Sequence, residues 1–309
     1  MQGLIIKATG SWYTVKLDNR KAVPCRLPGK FRLSEEHITN PVAVGDNVSV
    51  ALQSDGTGVI ERIFERKNRL VRQATHRKKG IQIIAANLDQ ILVIQSYKQP
   101  VFKTGFIDRL VVSSEANDIQ PVIVLNKIDL AKKEKDKKKI FHLVDLYTSL
   151  GYTVLPLSIY DKKSMDNLYE SISGKTSAMT GHSGTGKTSI INTLNPELNF
   201  KTGEISSFSN KGKHTTTFAQ LITFSEQTFV VDTPGIREFG LVNFKPYEVS
   251  LFYPEMKDLR DSCHFYNCTH RHEPSCAIID AYRNGTIAES RYRSYVNIVN
   301  SIEDSSEPA

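Results

Sequence analysis

Gly181, His182, Ser183, Gly184, Thr185, Gly186, Lys187 and Thr188 follow the pattern GxxxxGK[ST]. The glycines let successive backbone N–H groups turn toward phosphate oxygens, and a helix opening at Ser189 adds the positive end of its dipole. In this pattern Lys187 is placed to reach the β and γ phosphates of a nucleotide, and Thr188 to hold Mg²⁺ through its hydroxyl. A second motif, Asp232-Thr-Pro-Gly235, follows an apolar run. There a carboxylate can reach the Mg²⁺ shell and the Gly235 N–H can sense the γ-phosphate. A tetrapeptide this short also suits a plain β-turn, and its pairing with the phosphate loop favours the nucleotide role.

Base selection is carried by Asn126-Lys127-Ile-Asp129 at the end of the apolar run Val122 to Leu125. The Asp129 carboxylate can accept both the N1–H and the exocyclic amine of guanine. Adenine offers no such pair, and a mismatched base would leave buried polar groups unsatisfied. Ser158, after the next strand, supplies a loop that can close over the base, although its neighbour Ile159 departs from the usual Ser-Ala. The order of the motifs is unusual, because the guanine motif precedes the phosphate loop by about 50 residues. One pocket can still assemble if the old chain ends are joined and the chain is opened elsewhere, after Gly235, so a circular permutation is implied. The segment after Gly235 then leads into the C-terminal module and could transmit hydrolysis to it.

A third constellation is Cys263, Cys268 and Cys276, three of the four cysteines, which fall within 14 residues beside His264, His270 and His272. In a reducing compartment, clustering of this kind points to a metal site rather than disulfides. Three thiolates with an imidazole suit tetrahedral structural Zn²⁺ with no open position. The spacing differs from common zinc fingers, so unpaired buried cysteines are the competing reading.

The elements that must position these groups can be read from pattern. The chain has 309 residues, 39% of them apolar, enough for two or three cores. Short β-rich pieces at Gly3–Ala8, Trp12–Lys16, Ala22–Leu27, Asn47–Leu52 and Gly58–Ile63 suggest a small closed barrel of OB type, with a generic β module as the alternative. Arg66, Lys67, Arg69, Arg72, Arg77, Lys78 and Lys79 then arrive without an acid among them, either to grip a phosphate backbone or as a solvated linker. From Asp89 onward, near-continuous apolar runs alternate with helical patterns, which implies a parallel sheet covered on both faces. The lysine run Lys132–Lys139 reads as a solvated helix face. After Phe244 come the Cys/His loop and an amphipathic helical tract from Ile278 to about Ser301, with 303–309 left as a disordered acidic tail.

The net charge of +7 favours polyanionic partners such as nucleic acid. No run of about 18 apolar residues is present, and the first ten residues lack the pattern of a signal peptide, so no membrane association and a cytoplasmic location are expected.

With the permuted order, Lys211-Gly-Lys-His214-Thr-Thr-Thr217, the run DTPGIREFGL and the Cys/His cluster in place, the chain closely resembles the bacterial RsgA (YjeQ) family over essentially its whole length. These are circularly permuted GTPases that bind the small ribosomal subunit late in its maturation. The resemblance implies a multidomain α/β protein: an OB-like barrel over 1–66, a permuted P-loop GTPase domain over 67–245, and a zinc-binding helical domain over 246–309. It implies that Lys211 to Thr217 is the first switch loop, that Thr216 completes the Mg²⁺ shell, and that His270 rather than His264 or His272 joins the three cysteines on one Zn²⁺.

The position after Gly235, where many GTPases carry a water-orienting glutamine, holds Ile236, so intrinsic hydrolysis should be slow. His214 is the local substitute that could orient or deprotonate the attacking water, unless it contacts RNA or packs the loop instead. The resemblance further implies a monomer that binds GTP and GDP and grips the rRNA of the small subunit. GTP favours binding and subunit-stimulated hydrolysis favours release, with other assembly factors as possible further partners. A large-subunit GTPase and a nucleotide-regulated RNA chaperone are the competing readings.

Overall fold

Period-two alternation builds the first unit. In β1 (Gln2–Thr9), β2 (Trp12–Leu17), β3 (Ala22–Arg26), β4 (Asn47–Leu52) and β5 (Gly58–Ile63), alternate side chains turn inward, as Tyr13, Val15 and Leu17 do along β2. With Ile5, Val23, Val48, Val50 and Ile60 they form a separate buried core. Hydrogen bonding runs β1-β2-β3-β5-β4 and returns to β1, antiparallel except for the β3–β5 contact. This closed five-strand order is that of an OB-type barrel. The structure, a computed structural model, describes residues 1–19, 21–32, 38, 40–73, 80–200, 219–232, 241 and 244–306.

The basic segment after the barrel is not a plain linker. Arg69–Gln73 forms β6 and pairs antiparallel with β7 (Ile81–Ala86). Arg66 donates to both oxygens of the fully buried Asp46, at 2.6 and 2.8 Å, and to the Pro41 carbonyl at 2.7 Å. Lys67 pairs with Asp89, and Arg72 donates to the Gln82 side chain. Arg66 is thus neither a phosphate grip nor a solvated linker residue, the two readings of this run, because its guanidinium satisfies a carboxylate that would be costly to bury alone. Arg77, Lys78 and Lys79 lie outside the described residues.

The second unit is doubly wound. Strands β8 (Gln90–Ser96), β9 (Gln120–Asn126), β10 (Thr153–Pro156), β11 (Thr176–Thr180), β12 (Gln220–Thr223) and β13 (Phe229–Asp232) lie in the order β10-β9-β8-β11-β13-β12. All neighbours are parallel except β12 against β13. Every residue of β8 is buried, because both sheet faces are covered, and so the strand reads as one apolar run rather than an alternation. Ile91, Val93, Ile123 and Ala178 face α1 (Thr104–Glu115) and α2 (Glu134–Ser149), whereas Leu92, Ile94, Val124 and Met179 face α3 (Lys162–Ile172) and α4 (Lys187–Leu194). Pairing of Lys7 with Gln220 joins β1 to β12, so barrel and parallel sheet are one hydrogen-bonded surface.

The third unit packs on α1. Its core gathers Val112 of α1 with Val249, Tyr253, Met256, Ile278, Tyr295, Ile298 and Val299. The helical tract expected from Ile278 onward is broken into Ala277–Arg283 and Glu289–Ser306. The break falls where Gly285 takes φ +82° and the Asn284 side chain accepts from the Thr286 N–H at 3.0 Å, a local turn that outcompetes helix continuation. The second helix runs through Ser306, which corrects the expected disorder from residue 303. Arg271 forks onto both oxygens of Glu303 at 2.7 Å and holds that end.

A buried charge cluster joins the third unit to the second. The Arg291 guanidinium, fully buried, donates to Asp108 of α1 at 2.5 Å and to Glu255 at 2.7 and 3.1 Å, and lies 4.4 Å over the Tyr253 ring. Tyr147 of α2 donates to the same Asp108 oxygen at 2.7 Å. Burial alone would lower the Arg291 pKa, but the facing carboxylates outweigh it and hold the guanidinium charged. Removing one partner strands the other as an uncompensated buried charge. Arg291→Ala is therefore expected to destabilise the protein by about 3–5 kcal/mol in urea unfolding. A loss near zero would show that Asp108 is satisfied without it.

Candidate functional site

In a parallel sheet the carboxyl ends of all strands lie along one edge, where ligands bind in open α/β folds. That edge collects the sequence motifs. β9 ends in Asn126, Ser158 follows β10, β11 runs into Gly181, and β13 ends in Asp232, whose register partner is Met179 in β11. Strand direction, not chain order, decides the assembly, so a permuted chain can build the same pocket.

The phosphate loop is shaped by contacts that exclude side chains. A Cβ at Gly181 would stand 2.3 Å from the Ile94 carbonyl oxygen. Gly186 takes φ +99°, and a Cβ there would lie 2.4 Å from the Asn126 side-chain nitrogen. Thr185 ties the loop to itself, donating through its hydroxyl to the His182 carbonyl at 2.9 Å. Lys187 is buried at the start of α4, with its Nζ donating to the carbonyls of Gly181 at 2.6 Å and His182 at 3.0 Å. The ammonium thus lies across the loop whose N–H groups would meet phosphate. Thr188 is buried beside it, while Ser183 and Gly184 are exposed and Ser189 is half-buried.

The guanine motif and the phosphate loop touch. Asn126 donates to the Thr185 carbonyl at 2.8 Å and accepts from the Lys127 N–H at 2.8 Å. Lys127, held at φ +59°, donates through Nζ to the carbonyls of Gly184 at 2.7 Å and Gln99 at 2.5 Å. Asp129 sits in the 3-10 turn Ile128–Leu130 and accepts from the Ser158 hydroxyl at 2.8 Å. Ser158 is itself pinned, since its N–H donates to the Ser164 hydroxyl at 3.1 Å. Thus Asn126, Lys127, Asp129, Ser158 and the loop from Gly181 to Thr188 lie together at one edge of the sheet, with the guanine motif bonded to the phosphate loop. The expected contributors His214, Thr216 and Gly235 lie outside the described residues, as does the side chain of Asp232.

Sequence reading did not single out the segment after β8. Ser96 donates to the Pro100 carbonyl at 2.8 Å, the Tyr97 N–H donates to the Asn126 carbonyl at 2.8 Å, and Phe106 of α1 stacks on His182 with ring centroids 3.9 Å apart. His182 apart, no motif marks these residues. Their one signal is position, because they follow the strand beside β11 on the ligand-bearing edge.

The cysteine cluster closes in space as well. Cys263, Cys268, His270 and Cys276 bring their ligand atoms within 4.8 Å of one another, which is a set that could hold a metal ion. The Cys263 sulfur lies 3.5 Å from His270 Nδ1 and 3.8 Å from the Cys276 sulfur, and His270 Nδ1 lies 3.3 Å from the Cys276 sulfur. His270 Nε2 faces the buried Ser250 hydroxyl at 3.2 Å, so the second nitrogen fixes the ring while Nδ1 turns to the thiols. His264 and His272 are exposed and outside the cluster. Burial pushes the Cys268 thiol up to about 12 and holds His270 down to about 4. A metal must therefore displace thiol protons but finds the imidazole already neutral.

The loop is also held from outside. Glu273 accepts from the N–H groups of Thr269, Arg271 and His272 and from the Thr269 hydroxyl. Burial opposes its ionisation, but these bonds win and hold the carboxyl well below the usual range. Tyr292 and Tyr295 of the last helix donate to the carbonyls of His270 and Thr269, each at 2.8 Å.

Comparison with known proteins places these observations in a family. The family model "RsgA GTPase" matches residues 63–242, and "RsgA N-terminal domain" matches residues 2–60. The chain is 42% identical over 307 residues to the small ribosomal subunit biogenesis GTPase RsgA of Christiangramia forsetii, covering 98% of this chain and 97% of that one. It is 43% identical to the protein of the same name from Flavobacterium johnsoniae, covering 98% and 94%. Among solved structures, YjeQ from Thermotoga maritima superposes with TM-score 0.77 at 33% identity, covering 98% of each chain. YloQ, described as a circularly permuted GTPase, gives 0.75 at 30% identity, covering 100% of this chain and 96% of that one. With matches spanning both the barrel and the nucleotide-binding unit, the chain belongs to the RsgA GTPase family.

Proposed function

We propose that this protein hydrolyses GTP to GDP and phosphate and acts on the small ribosomal subunit late in its maturation, with slow intrinsic turnover that the subunit stimulates. The observation that carries the reading is the contact between the two motifs, in which Asn126 reaches the Thr185 carbonyl while Asp129 stands beside Ser158. The subunit enters through the relatives, which are named for small ribosomal subunit biogenesis, and through the net charge of +7.

In this reading Asp129 selects guanine, Asn126 and Lys127 brace the base site against the phosphate loop, and Ser158 orients Asp129. The loop from Gly181 to Gly186, with the helix opening at Lys187, Thr188 and Ser189, cradles the phosphates. Lys187 neutralises charge that builds on the phosphoryl oxygens. Thr188, Thr216 and Asp232 are the groups that would hold Mg²⁺, which supplies charge neutralisation when bound, and Gly235 would sense the γ-phosphate. Ile236 cannot polarise water, so His214 is assigned to orient the nucleophile. Under single-turnover conditions, small subunits should accelerate hydrolysis by the wild type, and His214→Ala should lose the bulk of that acceleration while binding GTP normally. Equal stimulated rates in the two proteins would remove the role from His214, and no stimulation of the wild type would overturn the subunit as activator.

The cysteine cluster is assigned to one structural Zn²⁺. Thiolates about 2.3 Å and an imidazole about 2.0 Å from a tetrahedral zinc would stand about 3.8 and 3.5 Å apart, and the separations of 3.3–3.8 Å among Cys263, His270 and Cys276, with all four ligand atoms within 4.8 Å, support an ion of that size. We place the unit boundaries near residues 66 and 245, with the barrel and the zinc module as rRNA-gripping arms of a cytoplasmic monomer. Among the described residues no helix is long and apolar enough to cross a membrane.

A further inference from the structure

The lysine run at the start of α2 has more organisation than a solvated face requires. Lys132, Lys133, Lys135, Lys137, Lys138 and Lys139 are all exposed. The two acids among them are both engaged: Glu134 with Lys137 at 2.7 Å, and Asp136 with Lys98 at 2.8 Å and the Tyr97 hydroxyl at 2.8 Å. Among the described residues no carboxylate pairs with Lys132, Lys133, Lys135, Lys138 or Lys139.

Helix stability does not explain this placement. Glu134 and Asp136 in the first turn suit the helix dipole, but the lysines crowded around them oppose it, and the last turn holds no basic residue. Lys135 and Lys139 are also like charges four apart on one face, which repel. An external anion would relieve that repulsion.

We propose that the first half of α2, with the turn before it, binds RNA phosphate backbone and gives the nucleotide-binding unit its own contact with nucleic acid. The identity of that RNA as ribosomal rests on the function proposed above, whereas the phosphate chemistry rests on the patch alone. The helix's exposed face suits a phosphate backbone better than a protein or a lipid surface. Phe141, 67% exposed, is its only exposed large apolar side chain, too little for a hydrophobic interface core or for membrane insertion. Phe141 packs edge-on against His142 at 6.1 Å, just beyond the lysines, where a base or ribose could stack. The patch is also tied to the nucleotide pocket. Lys98, which holds Asp136, reaches the Leu130 carbonyl at 3.4 Å at the end of the turn that carries Asp129.

The test uses the full chain carrying Lys133→Gln, Lys135→Gln, Lys138→Gln and Lys139→Gln together, a set that touches no nucleotide-pocket residue. Basal hydrolysis and GTP affinity without RNA should match the wild type and certify folding. Binding is then measured across a salt series to purified small ribosomal subunits and, separately, to a short RNA duplex. Affinity at low salt should fall roughly tenfold or more, and the slope of log affinity against log salt should shrink by up to about 3.6, since each of four neutralised phosphates contributes about 0.9. The matching four-arginine variant should restore both.

Unchanged affinity and slope on both probes would overturn the proposal, as would a variant that loses binding only to anionic lipid vesicles. A wild type that ignores subunits but binds the duplex with the lysine-dependent slope would sink the ribosomal reading and leave this surface standing.

Discussion

Asp129→Asn is expected to lower GTP affinity by about 10²–10⁴-fold, because two hydrogen bonds from guanine to a charged acceptor are worth roughly 3–6 kcal/mol together. The amide offers an N–H where the base also presents N–H donors, so the loss includes a donor facing a donor. Xanthine carries a carbonyl where guanine carries its amine, and the variant should bind xanthosine triphosphate better than the wild type does. The fold should survive, since the Asp129 carboxylate accepts from the Ser158 hydroxyl, and an asparagine oxygen can accept the same bond. Equilibrium titration with fluorescent guanosine and xanthosine nucleotides gives both numbers. Unaltered selectivity would remove residue 129 from the base site, and the assignment of the pocket with it.

Stripping the metal should have the second large effect. The third unit is small, and two of its core members, Cys268 and Cys276, are also thiols of the cluster. Structural zinc contributes apparent binding energies of about 10–16 kcal/mol, far more than a core of this size can replace. A strong chelator, or Cys276→Ala, should release about one Zn²⁺ per chain and abolish the near-ultraviolet dichroism of Tyr253, Tyr282, Tyr292 and Tyr295. GTP binding should persist, because among the described residues the core beneath the phosphate loop takes no side chain from beyond Val230. Elemental analysis of the purified protein checks the metal, and a fully ordered C-terminal module in metal-free protein would refute the site.

Much of the pocket was legible because phosphate and guanine recognition constrain local sequence. Gly181 and Gly186 are required where a Cβ would strike the Ile94 carbonyl or the Asn126 amide, and such requirements print directly into the chain. Strand β8 was equally plain, since burial on both faces leaves an unbroken apolar run. The illegible parts lack a local signature. Arg66 reads as one more cation in a basic run until Asp46, 20 residues away, is seen beneath it. Nothing in the phosphate-loop pattern around His182 foretells that Phe106 lies against its ring. Strand β6 was hidden because Arg69 and Arg72 give it the look of a basic linker.

By itself, the sequence determined the chemistry of each motif: which residues can meet phosphate, guanine or a soft metal, and the fact that their order along the chain is permuted. Those properties depend on side chains a few residues apart. Only the tertiary structure decided that the motifs meet, because a parallel sheet gathers strand ends by direction rather than by chain order. It also decided which charges are structural, since the difference between Arg291, enclosed by Asp108 and Glu255, and Lys138, open to solvent, lies in burial and in partners far away along the chain.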